Sequence, residues 1–338
     1  MTFNRKLLDA DLYYNRSRIV RADLQNHFRV GSGVKDTDLE RAAVHATKAD
    51  KLGIGGVTCL VNCEDARFEE TVEKAKKRGK TLIHSLGANA VYLPEMNSFM
   101  VVKGQEIQTP QGHVLLIGVQ RDTYLMHNVP FKERKLVDVL KAAKQAGAIA
   151  VIDHPFYRGG IFHTDSPAGI NHRLSRQEMK ELVFGYEIYN GAANFSLPKI
   201  APSYANEKAF DEFNRIGGLR DTFPSLHTIV TSDGHSFWEI GSSNMDLPMP
   251  VYYTEMDSSE KVVDALKYGI EQANRRSLSV QHSHSSLGGA LTFSSLAGLR
   301  LTGILANKLP SSLAKPIKEF YDASQGRKYQ GPNYTPNH

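Results

Sequence analysis

The chain has 338 residues, 41% of them hydrophobic and 23% charged, the balance of a globular protein that buries a real core. No run of about 18 apolar residues occurs, which excludes a bilayer-spanning helix. Met1 to Tyr14 lacks the apolar segment and small-residue cleavage site of a signal peptide. Net charge is +5. Such a balance fits an ordinary solvated surface or attraction to a phosphate-bearing partner. Cys59 and Cys63, the two cysteines, lie on one face of a strand, too far apart for an unstrained disulfide. A reducing, cytoplasmic compartment is expected.

Strand-like and helix-like segments alternate along the chain, which predicts a mainly parallel sheet or barrel wrapped by helices. Arg18–Phe28 reads as a strand and Asp36–Leu52 as an amphipathic helix stopped by Gly53. Val57–Cys63 is a buried strand, Ala66–Arg78 a helix with one charged face, and Thr81–Leu86 another strand. Asn89 to Ser98 reads as a loop that contributes to substrate choice, as does Tyr157 to Arg173. Phe99–Val119 reads as two strands joined by the turn Thr109–Gly112. Helix Lys132–Gln145 leads into the apolar run Ala148–Ile152. Tyr186–Tyr189, Thr228–Thr231 and Val251–Thr254 are further strands. Helices near Arg176–Phe184, Asn206–Ile216 and Ser259–Gln272 sit among them. Such units fill residues 15 to 282 with no linker, so 1–282 is expected to form one barrel domain. Residues 283–338 are expected to form a helical and extended C-terminal extension, whose last part, rich in Gly, Pro, Asn and Tyr, reads as an arm.

Metal-competent residues collect just after the apolar strand cores. They are Asp23 and His27, Glu64 and Asp65, Glu106, His154, Glu187, and Asp233 with His235. Strand C-termini of a parallel barrel converge on one face, so residues scattered in sequence can meet in space. Imidazole and carboxylate together suit Zn, Mn or Fe. Each histidine taken singly reads equally well as a hydrogen-bonded structural residue; the joint pattern favours ligands.

The order of these motifs resembles the PHP (polymerase and histidinol phosphatase) family. Asp23-Leu-Gln-Asn-His27 is similar to its opening motif, and Gly104-Gln-Glu106 followed by Gly112-His113 to its Gly-x-Glu strand and neighbouring Gly-His. The apolar strand ending Ile152-Asp153-His154-Pro155, the pair Glu187 and Asn190, and Thr231-Ser232-Asp233-Gly234-His235-Ser236 match later motifs in the same order. The resemblance implies an α/β fold, a distorted (β/α)7 TIM-like barrel, with one to three divalent metal ions and phosphoester hydrolysis. It makes Glu106 a bridging carboxylate, with His27 and Asp233 on a first metal, His154 on a second and His235 on a third. Glu187 is a further candidate ligand. Arg29 and Arg158 follow His27 and His154-Pro155. Each reads as a phosphate clamp or as a surface salt bridge.

Departures from the family pattern are informative. Gln25 stands where the first histidine is usual, and Asp65 where a histidine is usual in the second motif. Gly31-Ser32-Gly33 lacks the usual carboxylate. Oxygen-richer ligands such as Asp65 favour a harder ion, Mn or Mg, over Zn. The expected function is metal-dependent hydrolysis of the phosphate ester of a small metabolite or nucleotide. Two alternatives stand beside it: a barrel that has lost catalysis and acts as a binding or scaffold subunit, and a nuclease. The nuclease would hold nucleic acid with the basic tail Lys308, Lys315, Lys318, Arg327 and Lys328. The C-terminal extension would also serve a homo-oligomer contact.

Overall fold

Apolar side chains alternate along the strands so that one sheet face lines an inner core and the other receives helices. The computed structural model describes residues 17–27, 39–49, 51–62, 67–120, 123–156, 160–161, 174–191, 203–234, 239–250, 253–275 and 280–282. In chain order these give β1 (Ser17–Asn26), α1 (Leu39–Ala46), β2 (Val57–Asn62), α2 (Arg67–Arg78), β3 (His84–Leu86) and β4 (Ala90–Leu93). β5 (Phe99–Thr109), β6 (Gly112–Ile117), α3 (Leu136–Gln145), β7 (Ile149–Ile152), α4 (Arg176–Leu182) and β8 (Gly185–Asn190) follow. The last are α5 (Ser203–Asn214), α6 (Leu219–Thr222), β9 (His227–Thr231), β10 (Ser243–Pro250), α7 (Ser259–Arg275) and β11 (Val280–His282).

The strands run in the order β11-β10-β1-β2-β5-β6-β7-β8-β9, and the eight from β10 to β9 form a nearly closed, barrel-like sheet. Parallel pairing joins β1 to β2, β2 to β5, β7 to β8 and β8 to β9. Antiparallel pairing joins β5 to β6, β6 to β7 and β1 to β10. The alternation of strand and helix is therefore interrupted at β5–β7, where a tight hairpin at Thr109–Gly112 replaces a helical crossover.

Leu24, Val57, Cys59, Val61, Met100, Val102, Leu115, Val151 and Ile229 pack inside the barrel. Helix α7 adds Val262, Leu266 and Ile270 to this core, and Val263 packs so closely on Gly118 that a Cβ there would overlap it. Outside, Val114, Leu116, Ala150, Ile152 and Tyr186 meet Leu136, Val139 and Leu140 of α3 and Phe213 of α5. Leu60, Val91 and Val101 meet Leu39 and Ala43 of α1 and Phe68 and Val72 of α2.

Two strands show the clearest differences from expectation. The strand expected at Val251–Thr254 lies earlier, at Ser243–Pro250, and Tyr253–Glu255 forms a 3-10 turn. Pro248 and Pro250 argue against a strand in sequence, because proline lacks the ladder donor. They are tolerated because β11 pairs only with Ser243–Met245, which leaves the rest of β10 laddered on β1 alone among the described residues. Ala90–Leu93, expected within a substrate loop, is instead β4, paired with β3 and β5. The expectations for residues 283–338 lie outside the described residues.

The sheet closes where β1 meets the segment after β9. Gly234 bridges Asn26: the His27 amide donates to the Gly234 carbonyl at 2.7 Å, and the Gly234 amide to the Gln25 carbonyl at 3.3 Å. Asp23 ties the same junction, accepting from the Ser232 amide (2.9 Å), the Ser232 hydroxyl (2.6 Å) and the Gly241 amide (2.6 Å). A Cβ at Gly234 would overlap Oδ1 of Asn26. Gly234→Ala is therefore expected to destabilise the protein by about 1–3 kcal/mol, as overpacking does. Calorimetry should register a melting point lower by several degrees; an unchanged one would mean that closure does not depend on this approach.

Candidate metal centre

Two irregularities in strand register build the mouth of the barrel. Against β2, Ala22 pairs with Val57 and Asp23 with Thr58, but Asn26 pairs with Leu60, so β1 carries one extra residue. Such a bulge reverses which side chains face inward beyond it. Asp23 is thus left to bond Ser232 and Gly241, while Gln25 and His27 reach the interior residues Asp153 and Glu106. In β8, Glu187 pairs with Ile229 but Tyr189 pairs with Val230, a second extra residue. Glu187 and Asn190 come together there, the Asn190 amide donating to the Glu187 carboxylate at 3.2 Å.

Glu106 of β5 is the common contact. Its Oε1 lies 2.5 Å from Nδ1 of His113 and 3.6 Å from Nε2 of His154. Its Oε2 lies 3.2 Å from Nε2 of His27, and that nitrogen is 3.3 Å from Oδ1 of Asp233. Asp153 completes the group, with Oδ2 3.4 Å from Nε2 of His154. Glu106, His113, Asp153 and His154 each offer one donor atom, and the four atoms lie within 4.8 Å of one another. Two of the residues here hold left-handed backbone, His154 at φ 23° and Asp233 at φ 50°. Non-glycine residues rarely adopt it, and such strain gathers at functional sites.

The electrostatics are unbalanced toward acid. Glu106, Asp153, Glu187 and Asp233 are all buried around three imidazoles, His27, His113 and His154. Burial opposes ionisation of Glu106, yet His113, and then His154 and His27, hold its carboxyl well below the usual range. Burial, and then the charges of Glu106 and Asp233, push Asp153 well above it. Burial, and then Asp153, do the same to Glu187. For His27, burial works against the proton, but Asp233 and Glu106 outweigh it and raise the pKa to about 9. His154 rises to about 9 against the same opposition, chiefly through Glu106. Without a cation the group thus compensates by protonation, and a divalent ion would let the carboxylates ionise. Oδ1 of Asp153 is buried and meets no hydrogen-bond donor among the described residues. Mixed nitrogen and carboxylate donors at this spacing fit a divalent metal.

Of the residues singled out in the sequence, His27, Glu106, His154 and Asp233 converge on this one group. Gln25 also points into it, but its amide nitrogen donates to Oδ2 of Asp153 at 3.1 Å. Glu187 faces the backbone instead, accepting from the amide of His154 at 2.6 Å. Asp65, Arg29, Arg158 and His235 lie outside the described residues. His113 and Asp153 were not among the expected ligands. The hairpin register carries the signal for His113: Glu106 pairs with Leu115, so His113, two positions away, shares its face. The Asp153 amide then donates to the His113 carbonyl at 3.4 Å, which sets Asp153 opposite His113.

No family model matches the chain, and no curated protein matches it by sequence. Solved structures similar to the chain include three. One is endonuclease Q in complex with a 27-mer duplex substrate bearing an abasic lesion at its active site (TM-score 0.48, 12% identity, 74% of this chain and 57% of that one). Another is the lesion-specific endonuclease PfuEndoQ from Pyrococcus furiosus (TM-score 0.49, 12% identity, 74% and 56%). The third is PsfC from Pseudomonas syringae PB-5123 (TM-score 0.46, 14% identity, 77% and 98%). The aligned part is thus a little over half the length of the two endonuclease chains. No helix among the described residues is long and apolar enough to cross a membrane.

If His113 is a ligand, His113→Ala should weaken binding of Mn or Zn by more than the roughly 10- to 100-fold that loss of an outer partner costs. Titration calorimetry on metal-free protein measures this, and wild-type affinity in the variant would remove His113 from the ligand set.

Proposed function

We propose that the chain is a metal-dependent phosphoesterase that cleaves the phosphate ester of a small metabolite or a nucleotide. The observation that carries this reading is the group of Glu106, His113, Asp153 and His154, with His27 on the far oxygen of the same glutamate and Asp233 beside His27. The ordered motifs that resemble the PHP family support it, since most of them supply side chains to this one group.

A divalent cation held by these four residues would activate water near neutral pH and offset charge on the phosphoryl oxygens. Glu106 organises the site, because its two oxygens face His113 and His154 on one side and His27 on the other. His27 and Asp233 are the residues that would hold a second cation, and Asp65 and His235 are proposed as ligands of further ones. Burial of Asp153 and His154 keeps bulk water from competing for the donors. His113 is the most open of the four, its side chain 17% exposed, which marks the side from which an ester would arrive. Arg29 and Arg158 are proposed as clamps on the phosphate oxygens, a task that suits the planar guanidinium.

Purified protein supplied with Mn should hydrolyse a generic aryl phosphate mono- or diester. Chelation should stop the reaction, and Glu106→Gln, which keeps the shape of the side chain but removes its charge, should abolish it. Hydrolysis that persists through both treatments would overturn the assignment.

A further inference from the structure

Asp153 and His154 are consecutive, and each is held from behind by a residue of another strand. Gln25 of β1 donates its amide to Oδ2 of Asp153 at 3.1 Å. Glu187 of β8 accepts the backbone amide of His154 at 2.6 Å, where His154 stands at φ 23°. The two supporting side chains meet at a single atom. The hydroxyl of Thr231, at the end of β9, lies 2.5 Å from Oε1 of Glu187 and 3.2 Å from Oε1 of Gln25. Thr231 is wholly buried, as are Gln25 and Asp153.

We infer that Thr231 is a positioning residue whose hydroxyl sets the placement of both Asp153 and His154 in the metal centre. The inference rests on the metal reading proposed above. One arm runs from Thr231, whose single hydroxyl proton is shared between Glu187 and the side-chain carbonyl of Gln25, through Gln25 to the carboxylate of Asp153. The other runs through Glu187 to the backbone of His154, where an accepting carboxylate stabilises a conformation that histidine otherwise avoids. With both oxygens of Glu187 engaged by Thr231, Asn190 and the His154 amide, that carboxylate supports a ligand and is not one itself. In the same way Gln25 orients Asp153. A neutral amide is a weak ligand but a good donor to a carboxylate, and outer hydrogen bonds of this kind fix ligand geometry.

The test compares Thr231→Val, Thr231→Ala and Thr231→Ser with wild type. The first two lack the hydroxyl. The valine methyl meets Glu187 closely and the alanine does not, so an effect common to both belongs to the lost hydroxyl. Both should bind Mn or Zn roughly 10- to 100-fold more weakly than wild type, the usual cost of removing an outer partner. The serine variant, which keeps the hydroxyl, should restore binding. In metal-free protein, hydrogen exchange at the His154 amide should speed up in the valine and alanine variants and not in serine, while amides of β5 and β6 stay protected. Wild-type affinity and wild-type exchange at His154 in the two variants without the hydroxyl would overturn the inference. If wild-type protein itself takes up neither ion, the metal reading fails, and His154 exchange in the metal-free variants then decides the positioning role by itself.

Discussion

Where β1 meets the segment after β9, one buried carboxylate does the joining, and the mouth of the barrel is built on that junction. Asp23 takes two donors from Ser232 and one from the amide of Gly241, while its own carbonyl accepts from Thr58 of β2 at 2.9 Å. It is wholly buried, and burial raises its pKa to about 6 against the pull of Ser232, Asn26 and Gly241. Three segments distant in sequence are therefore pinned to one point. The bulge that follows in β1 turns Gln25 and His27 inward just beyond it. Asp233, one residue past Ser232, is brought to 3.3 Å from His27 by the same closure. Without it, β1 and the segment after β9 would part, and the first and last contributors to the site with them.

Inside that mouth, charge is concentrated to a degree that apolar packing does not explain. Four buried carboxylates surround three imidazoles, of which only His113 is partly open to solvent. An ionised carboxylate in such surroundings is costly unless paired, and two of the four, Asp153 and Glu187, are accordingly pushed toward the protonated form. A fold selected only for stability would fill this space with hydrocarbon. Placement of acids and imidazoles around a single glutamate is instead an arrangement suited to a cation. The left-handed backbone at His154 and Asp233 adds to the case, since both strained residues belong to this group.

The outer layer of the site is as organised as the inner one. Thr231, Gln25, Glu187 and Asn190 are all buried and all bonded to one another or to the donors they support. Asn190 extends the network to α5: its amide nitrogen donates to Asn206, and the side chain of Asn206 returns the bond to its carbonyl, both at 2.9 Å. Helix placement and donor placement are thereby linked through hydrogen bonds rather than through apolar contact alone.

Hydrophobic periodicity and turn residues are local, and what depends on them was legible in the sequence. That includes β2 and β9, the β5–β6 hairpin at Thr109–Gly112, the helices α3 and α7, and the position of Glu106, His154 and Asp233 at or near strand ends. β10 escaped because its prolines break the local pattern, and only a strand laddered mainly on one side accepts them. The candidate donor group was legible only in part, because register and bulges are decided by pairing between strands that no single segment encodes. His113 joins Glu106 through the antiparallel register of β5 and β6, and Asp153 joins them by pairing beside His113. Gln25 and Glu187 carry side chains suited to a metal, yet they turn to Asp153 and to the backbone of His154. By itself the sequence determined which chemistry gathers at the strand ends. Tertiary structure decided which atoms face one another, because a one-residue shift in pairing sends a side chain to the opposite face of the sheet.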